Sequence, residues 1–415
     1  MAIYYGWWIV FASAFIGFYV AGTIFYGFTA FVDPLVKEFG WSYTQVSLAS
    51  SLRGLEMGIF APLVGILVDR LGSRFMIRLG MIVMGFSLIL LAYTNSLLMF
   101  YAAFLLLALG AGGCTSVVVL ASVANWFDKK VGLAMGIAVC GFGASGLLIP
   151  VVVKLIEVFD WRNTYLILGL SAWALGIPLS FVIRNKPEQY GYLLDGAQAA
   201  EKDPETEEPE QDEEIGFREA LTNKVFLNLM FIEAIRIMIL GTLVIHVMPY
   251  LSSLGISRST AGLIAAGIPL FSLIGRSGLG WLGDIFDKRR ILAGTFILIS
   301  LGLLAFSYID HYWCIPIFLL LFAPGYGGGM TLRGSIIRSY FGRASFGKLI
   351  GLTMGIGSIA GIIGPTLGGW VYDTFETYYW LWISFICLSV ICIFLSLNLE
   401  PLDAKVSISS PESLL

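Results

Sequence analysis

Charge is what this chain has least of. Asp, Glu, Lys and Arg make up 13% of its 415 residues, and 58% are hydrophobic; soluble proteins run at about 25% and 45–50%. Nine of the 28 acids lie between Glu201 and Glu214, so the remainder is poorer still. This excludes a string of soluble domains, which could not cover so much apolar surface. A net charge of −3 leaves no cationic surface for nucleic acid. Histidine occurs twice, and the five cysteines (Cys114, Cys140, Cys314, Cys387, Cys392) stand in apolar runs without CxxC spacing. No metal site and no disulfide framework is expected. A GxxxxGK[ST] loop is missing, so no ATP is implied. With no nucleophile motif and no cofactor signature either, enzyme chemistry has little to work with. The first twenty residues lack a basic region and a small-residue cleavage site, and read as a first membrane helix instead of a signal peptide.

Long apolar runs, by contrast, are plentiful. They occupy about 6–31, 45–68, 75–93, 97–126, 131–157, 163–183, 225–250, 260–283, 291–309, 313–338, 346–372 and 378–398. Each approaches or exceeds the roughly 20 residues that cross a bilayer as a helix, which predicts twelve spans. The gap between spans six and seven holds EKDPETEEPEQDEE, a solvated acidic linker. Eleven basic residues in short loops on one side face four on the other. That asymmetry puts both termini and the linker in the cytoplasm, across the cell membrane. The expected organisation is a six-helix bundle over 1–184, a linker over 185–224, a second six-helix bundle over 225–400 and a tail over 401–415.

The second half repeats the first. A shift of 215 residues aligns Gly40 with Gly255, Ser42 with Ser257, Gly65 with Gly280, Asp69 with Asp284, Gly132 with Gly347 and Pro150 with Pro365. Apolar matches would mean little here; shared Gly, Asp and Pro at one offset imply duplication. Parallel repeats of this kind suit a carrier working by alternating access.

The loop after span two reads Gly65-Ile-Leu-Val-Asp69-Arg70-Leu-Gly72-Ser-Arg74, and its repeat runs from Gly280 through Asp284 to Asp287, Arg289 and Arg290. This resembles the major facilitator superfamily, whose signature at this loop is G-x-L-x-D-R-x-G-x-R. The resemblance implies an all-α major facilitator fold with twelve transmembrane helices in two six-helix bundles. Asp69, Arg70, Asp284 and Arg289 are then expected to form a latch on the cytoplasmic side, the carboxylates lying near helix N-termini. Asp287 stands where Gly72 stands in the first copy, a departure that puts that turn in question. Shorter stretches resemble the monocarboxylate-carrier and oxalate/formate-exchanger branch: Phe39-Gly-Trp-Ser42, the run from Trp126 to Gly136, Asp160-Trp161-Arg162, and Gly275-Arg276.

Charges within spans cost about 2.5–3.5 kcal/mol each on insertion scales, so each needs a reason. Arg53 with Glu56, and Glu233 with Arg236, stand three apart and can share a helix face as ion pairs. Arg333, near a helix end, is expected to snorkel. Arg276 has no acid within one turn of its own helix, and a guanidinium offers a carboxylate two parallel hydrogen bonds. In the branch resembled, an arginine at this position holds the substrate carboxylate. The branch's acid one turn earlier is Ser272 here, and the second cation of oxalate exchangers is Met354, which favours a monoanion. If protons are coupled, Glu233, Glu56 and His246 are the candidate carriers. The superfamily lines its cavity with spans 1, 4, 7 and 10, which makes Tyr26, Thr115, Asn125 and Tyr326 further candidates, the glycines around Tyr326 letting that helix bend. The expectation is a monomeric secondary transporter of a small monocarboxylate, with H+ as an optional second substrate. A carrier of another small molecule, or a non-transporting sensor, stays open as the alternative.

Overall fold

The computed structural model describes residues 4–52, 54, 64, 67–68, 70–114, 116–127, 130–192, 217–341 and 346–399. These are overwhelmingly helical, with no strand among them. Nine stretches of the described residues are long and apolar enough to cross a membrane. One of them, Val131–Val182, is 52 residues long. It breaks at Asp160, where φ is 65° and ψ 173°, and so holds the fifth and sixth expected spans. The fourth is built from Leu97–Gly112 and Ser116–Ala124. The second begins as Tyr43–Ser51, and most of its remainder, 55–63 included, lies outside the described residues. The protein is thus an all-α polytopic membrane protein.

The duplication is visible in how helices stop and start. Gly40 and Gly255, aligned by the repeat, both take the left-handed conformation (φ 66° and 77°) that ends a helix. Ser42 then caps the next helix through a reciprocal box with Gln45, at 3.0 and 3.1 Å. Its counterpart Ser257 accepts from the Thr260 amide at 3.3 Å. The departure at Gly72 and Asp287 also has a physical explanation. Gly72 adopts φ 82°, and the helix Ser73–Ala92 behind it is capped from outside, by Asn185 Oδ1 accepting from the Arg74 amide at 3.0 Å. Asp287 instead caps its own helix, Lys288–Ser307, accepting from the Arg289 amide at 3.0 Å.

Packing divides the chain into two compact units. The first comprises 1–206, 240–270 and 361–378; the second comprises 207–239, 271–360 and 379–415. In the first unit, Ile9, Val10, Val123, Trp126, Phe127, Ala134 and Ala138 form a buried cluster. The Trp126 indole is fixed by the Arg184 carbonyl at 2.9 Å. At the other end, motif residues meet. The Glu38 carboxylate accepts from the Trp161 indole at 2.5 Å and from Arg162 at 2.8 and 3.1 Å, while Phe39 stacks on Trp41 at 4.2 Å. Asp160 holds the break open by accepting from the amides of Arg162 and Asn163. Phe39 also meets the Trp161 ring edge-on at 5.8 Å, so two of the stretches that carry the branch resemblance pack against one another.

Glycines recur along spans five and eleven, and only some of them meet a close neighbour. A Cβ on Gly141 would strike the carbonyl of Ala14, and one on Gly146 the carbonyl of Ala266. Gly132, Gly136, Gly351 and Gly355 face nothing within 4 Å among the described residues.

Candidate functional site

The second unit carries the charged interior. Glu233 and Arg236 lie on the helix Lys224–Ser253, and their i, i+3 spacing gives the expected pair: Arg236 donates from Nε at 2.7 Å and from Nη2 at 2.5 Å. The pair is buried, with side chains 4–5% exposed. A third member was not foreseen. Arg333, on the helix Cys314–Phe341, donates from Nη1 to Glu233 Oε1 at 2.6 Å, and its side chain is only 16% exposed. The expectation that Arg333 snorkels is therefore corrected. A carboxylate on a facing helix offers a charge-assisted bond in a low-dielectric interior, which outweighs reaching for the interface. The available signal was the four-residue spacing of Gly329 and Arg333. A Cβ on Gly329 would press on Arg236 Cδ at 2.8 Å, so the glycine makes room for the guanidinium stem one turn before Arg333. The three charges border a cavity of about 20 Å³ with Gly329 and Thr353, room for about one water.

Beside this cluster, helices Arg258–Ile285 and Cys314–Phe341 cross with their backbones in contact. A Cβ on Gly275 would collide with the Pro324 carbonyl, and one on Gly327 with the Ser272 carbonyl. Gly325 packs on Thr295 and Ile299, and Gly328 on Leu279. The glycines flanking Tyr326 thus serve close packing on two neighbouring helices, within one continuous helix. The crossing sets the Arg276 guanidinium carbon 6.0 Å from the centre of the Tyr326 ring, within cation–π reach. Arg276 is partly buried and Tyr326 is 3% exposed.

The other candidates are dispersed. Tyr26 is buried at the end of a π-helical turn, Ala21–Tyr26, in the first unit. Asn125 is exposed and donates to the Asn185 carbonyl at 3.1 Å. Of the latch candidates, Arg70 and Asp284 are exposed, and Arg289 is committed to Asp287 at 2.6 Å and to the Leu399 carbonyl at 2.7 Å. That bonding holds the Asp287 carboxyl below the usual carboxylate range. Arg53, Glu56, Asp69 and Thr115 lie outside the described residues.

His246, in the first unit, is fully buried and bonded at both ring nitrogens. Nε2 lies 2.8 Å from the Pro365 carbonyl and 3.1 Å from Ser47 Oγ, and Nδ1 lies 2.9 Å from Tyr378 Oη. A carbonyl only accepts, so Nε2 carries the proton and Nδ1 accepts from the tyrosine. Close by in the fold, Asp373 caps the helix Tyr43–Ser51, accepting from the amides of Tyr43 and Thr44 at 3.0 and 2.8 Å. Nothing local in the sequence announces that cap, because Tyr43 and Thr44 lie 330 and 329 residues before Asp373.

The family model for the Major Facilitator Superfamily matches residues 8–257 and 229–413. The chain belongs to this superfamily. Its fold agrees: a bacterial homologue of the human lysosomal transporter Spinster, solved inward-facing and unoccupied, aligns at TM-score 0.73 and 15% identity. That alignment covers 96% of this chain and 95% of the other. Among curated proteins, an uncharacterized MFS-type transporter, YcxA of Bacillus subtilis (strain 168), is 25% identical over 385 residues, 90% of each chain. Monocarboxylate transporter 12 of Mus musculus is 25% identical over 407 residues, covering 90% of this chain and 81% of its own. Monocarboxylate transporter 11 of the same species is also 25% identical, over 388 residues. This superfamily member is accordingly a multi-pass membrane transporter that resembles the monocarboxylate branch.

Proposed function

We propose that the protein is a secondary carrier that moves a small monocarboxylate across the cell membrane by alternating access. It acts as a monomer with both termini in the cytoplasm. The observation that carries this reading is the helix crossing that sets Arg276 against the Tyr326 ring, 6.0 Å away, beside an interior where Arg236 and Arg333 outnumber Glu233. A positively biased interior favours an anion, and a guanidinium's planar fork matches the two oxygens of a carboxylate. The names of two relatives, monocarboxylate transporters 11 and 12, support the same substrate class.

The bonding of the titratable groups supports one reading of the coupling mode. Glu233 holds two guanidiniums and His246 is engaged at both nitrogens, so both are committed to structural bonds in this state. With Ser272 where the branch has an acid, we favour carboxylate movement by exchange or uniport over proton symport through these two groups. Glu56 is the candidate proton carrier that remains.

The test is ligand-induced stabilisation of the purified protein by short carboxylates, paired with uptake into proteoliposomes. Arg276→Ala should weaken binding roughly tenfold to a hundredfold, the worth of a hydrogen bond to a charged group. Arg276→Lys should fail substantially too, since an ammonium lacks the fork. Wild-type binding and uptake in Arg276→Lys would overturn the assignment.

A further inference from the structure

The first unit carries a second cationic cavity, on the helix Ser73–Ala92. Arg74 and Arg78 stand four apart near its start and so share a face. The Phe181 ring packs against both guanidiniums, 4.1 Å from Arg78 and 5.5 Å from Arg74. With Leu71, Phe75 and Asn185 these residues line an open depression of about 260 Å³.

The bonding of the two arginines is thin. Arg74 reaches Tyr190 Oη at 3.4 Å, and Arg78 reaches Ser180 Oγ at 3.4 Å, both long contacts to neutral groups. Arg74 Nε is buried and donates to nothing among the described residues. The acid nearest in sequence, Asp69, lies outside the described residues; Glu188, two residues before Tyr190, is exposed, and neither arginine forms an ion pair among the described residues. Around this positive centre the walls are apolar and open: Leu71 is 48% exposed, Phe75 47% and Phe181 52%. In a membrane-spanning chain such side chains face acyl chains, and the charge pattern puts this loop at the cytoplasmic boundary.

We propose that this cavity seats the phosphate headgroup of an anionic phospholipid from the cytoplasmic leaflet. A soluble anion would satisfy the arginines but leave the apolar rim wet. A lipid satisfies both, with its phosphate on Arg74 and Arg78 and its chains over Leu71, Phe75 and Phe181. Arginine suits this role because its fork matches a phosphate's oxygens. The site is separate from the proposed carboxylate site, and binding there needs no transport to be measured.

The experiment is native mass spectrometry of the full-length protein, with phosphatidylglycerol titrated against phosphatidylcholine, and thermal melts in nanodiscs of the same two compositions. Two basic side chains near an anionic headgroup should give a phosphatidylglycerol preference on the order of tenfold to thirtyfold. Arg74→Gln with Arg78→Gln should remove most of that preference, and Arg276→Ala should keep it. Equal retention of the two lipids by the wild type, which needs no variant to fold, overturns the proposal. So does an unchanged preference in the double variant. Stabilisation by millimolar inorganic phosphate equal to that by phosphatidylglycerol would assign the cavity to a soluble phosphate and overturn the lipid reading as well.

Discussion

Neutralising Glu233 should damage this protein more than removing either arginine that binds it. Glu233 accepts three hydrogen bonds, from Arg236 at 2.7 and 2.5 Å and from Arg333 at 2.6 Å, in an interior where its side chain is 5% exposed. Glu233→Gln leaves two guanidiniums without a counter-charge among the described residues. Removing one partner of a buried pair costs about 3–5 kcal/mol, most of it for the charge left behind. Arg333→Gln, by contrast, leaves the neutral Glu233–Arg236 pair intact. It loses one bond to a charged group, about 1.5–3 kcal/mol, and less in practice because Arg333 is 16% exposed. Arg236→Gln falls between, since Arg333 still neutralises the carboxylate. The assay is thermal unfolding of the purified variants in one detergent. At about 2–4 °C per kcal/mol for a unit of 150–250 residues, Glu233→Gln should lower the midpoint by on the order of 10 °C, and Arg333→Gln by a few degrees. The double variant Glu233→Gln, Arg236→Gln should recover part of the loss, because only one cation is then stranded. An Arg333→Gln loss as large as that of Glu233→Gln, or strict additivity in the double variant, would refute the reasoning.

Three further outcomes are expected. Gly327→Ala drives a methyl into the Ser272 carbonyl at the crossing beside Arg276. It should cost about 1–3 kcal/mol in a thermal melt and weaken carboxylate-induced stabilisation, and an unchanged melt would show that the helices can part freely. Asp373→Ala removes the cap on Tyr43–Ser51. Losing about 0.5–2 kcal/mol there should raise cysteine-labelling rates at positions near residue 44, and unaltered labelling would mean that the cap does not hold this end closed. Asp287 has a folded-state pKa below its ordinary value because Arg289 bonds its carboxylate. Its contribution is therefore present above the ordinary carboxylate range and lost as pH falls through the depressed folded value. Melts of Asp287→Asn should sit at a constant offset below wild type from pH 7 to about pH 5, begin to close on it near pH 4 and meet it only below the depressed folded value.

The sequence alone determined class, number and repetition. Little charge and long apolar runs leave no fold except helices that satisfy their own backbone inside lipid. Local signals also carried through: Gly40 and Gly255 end helices, and Ser42 and Ser257 begin them, because capping depends on a few consecutive residues. The pairing of Glu233 with Arg236 was legible for the same reason, being an i, i+3 contact on one helix. What only the tertiary structure decided were contacts between helices far apart in the chain. Arg333 looked like a snorkelling residue until Glu233, 100 residues away, was brought to within 2.6 Å of it. His246 was one candidate proton carrier on the sequence, and its partners Tyr378 and Pro365, more than a hundred residues away, could not be named from it. The glycines around Tyr326 read as a bend in their own helix, and the structure spends them on the backbones of neighbours. In each case the periodicity of a helix states which residues share a face. It cannot name the residue on the other side, because that choice is made by packing and by the need to neutralise buried charge.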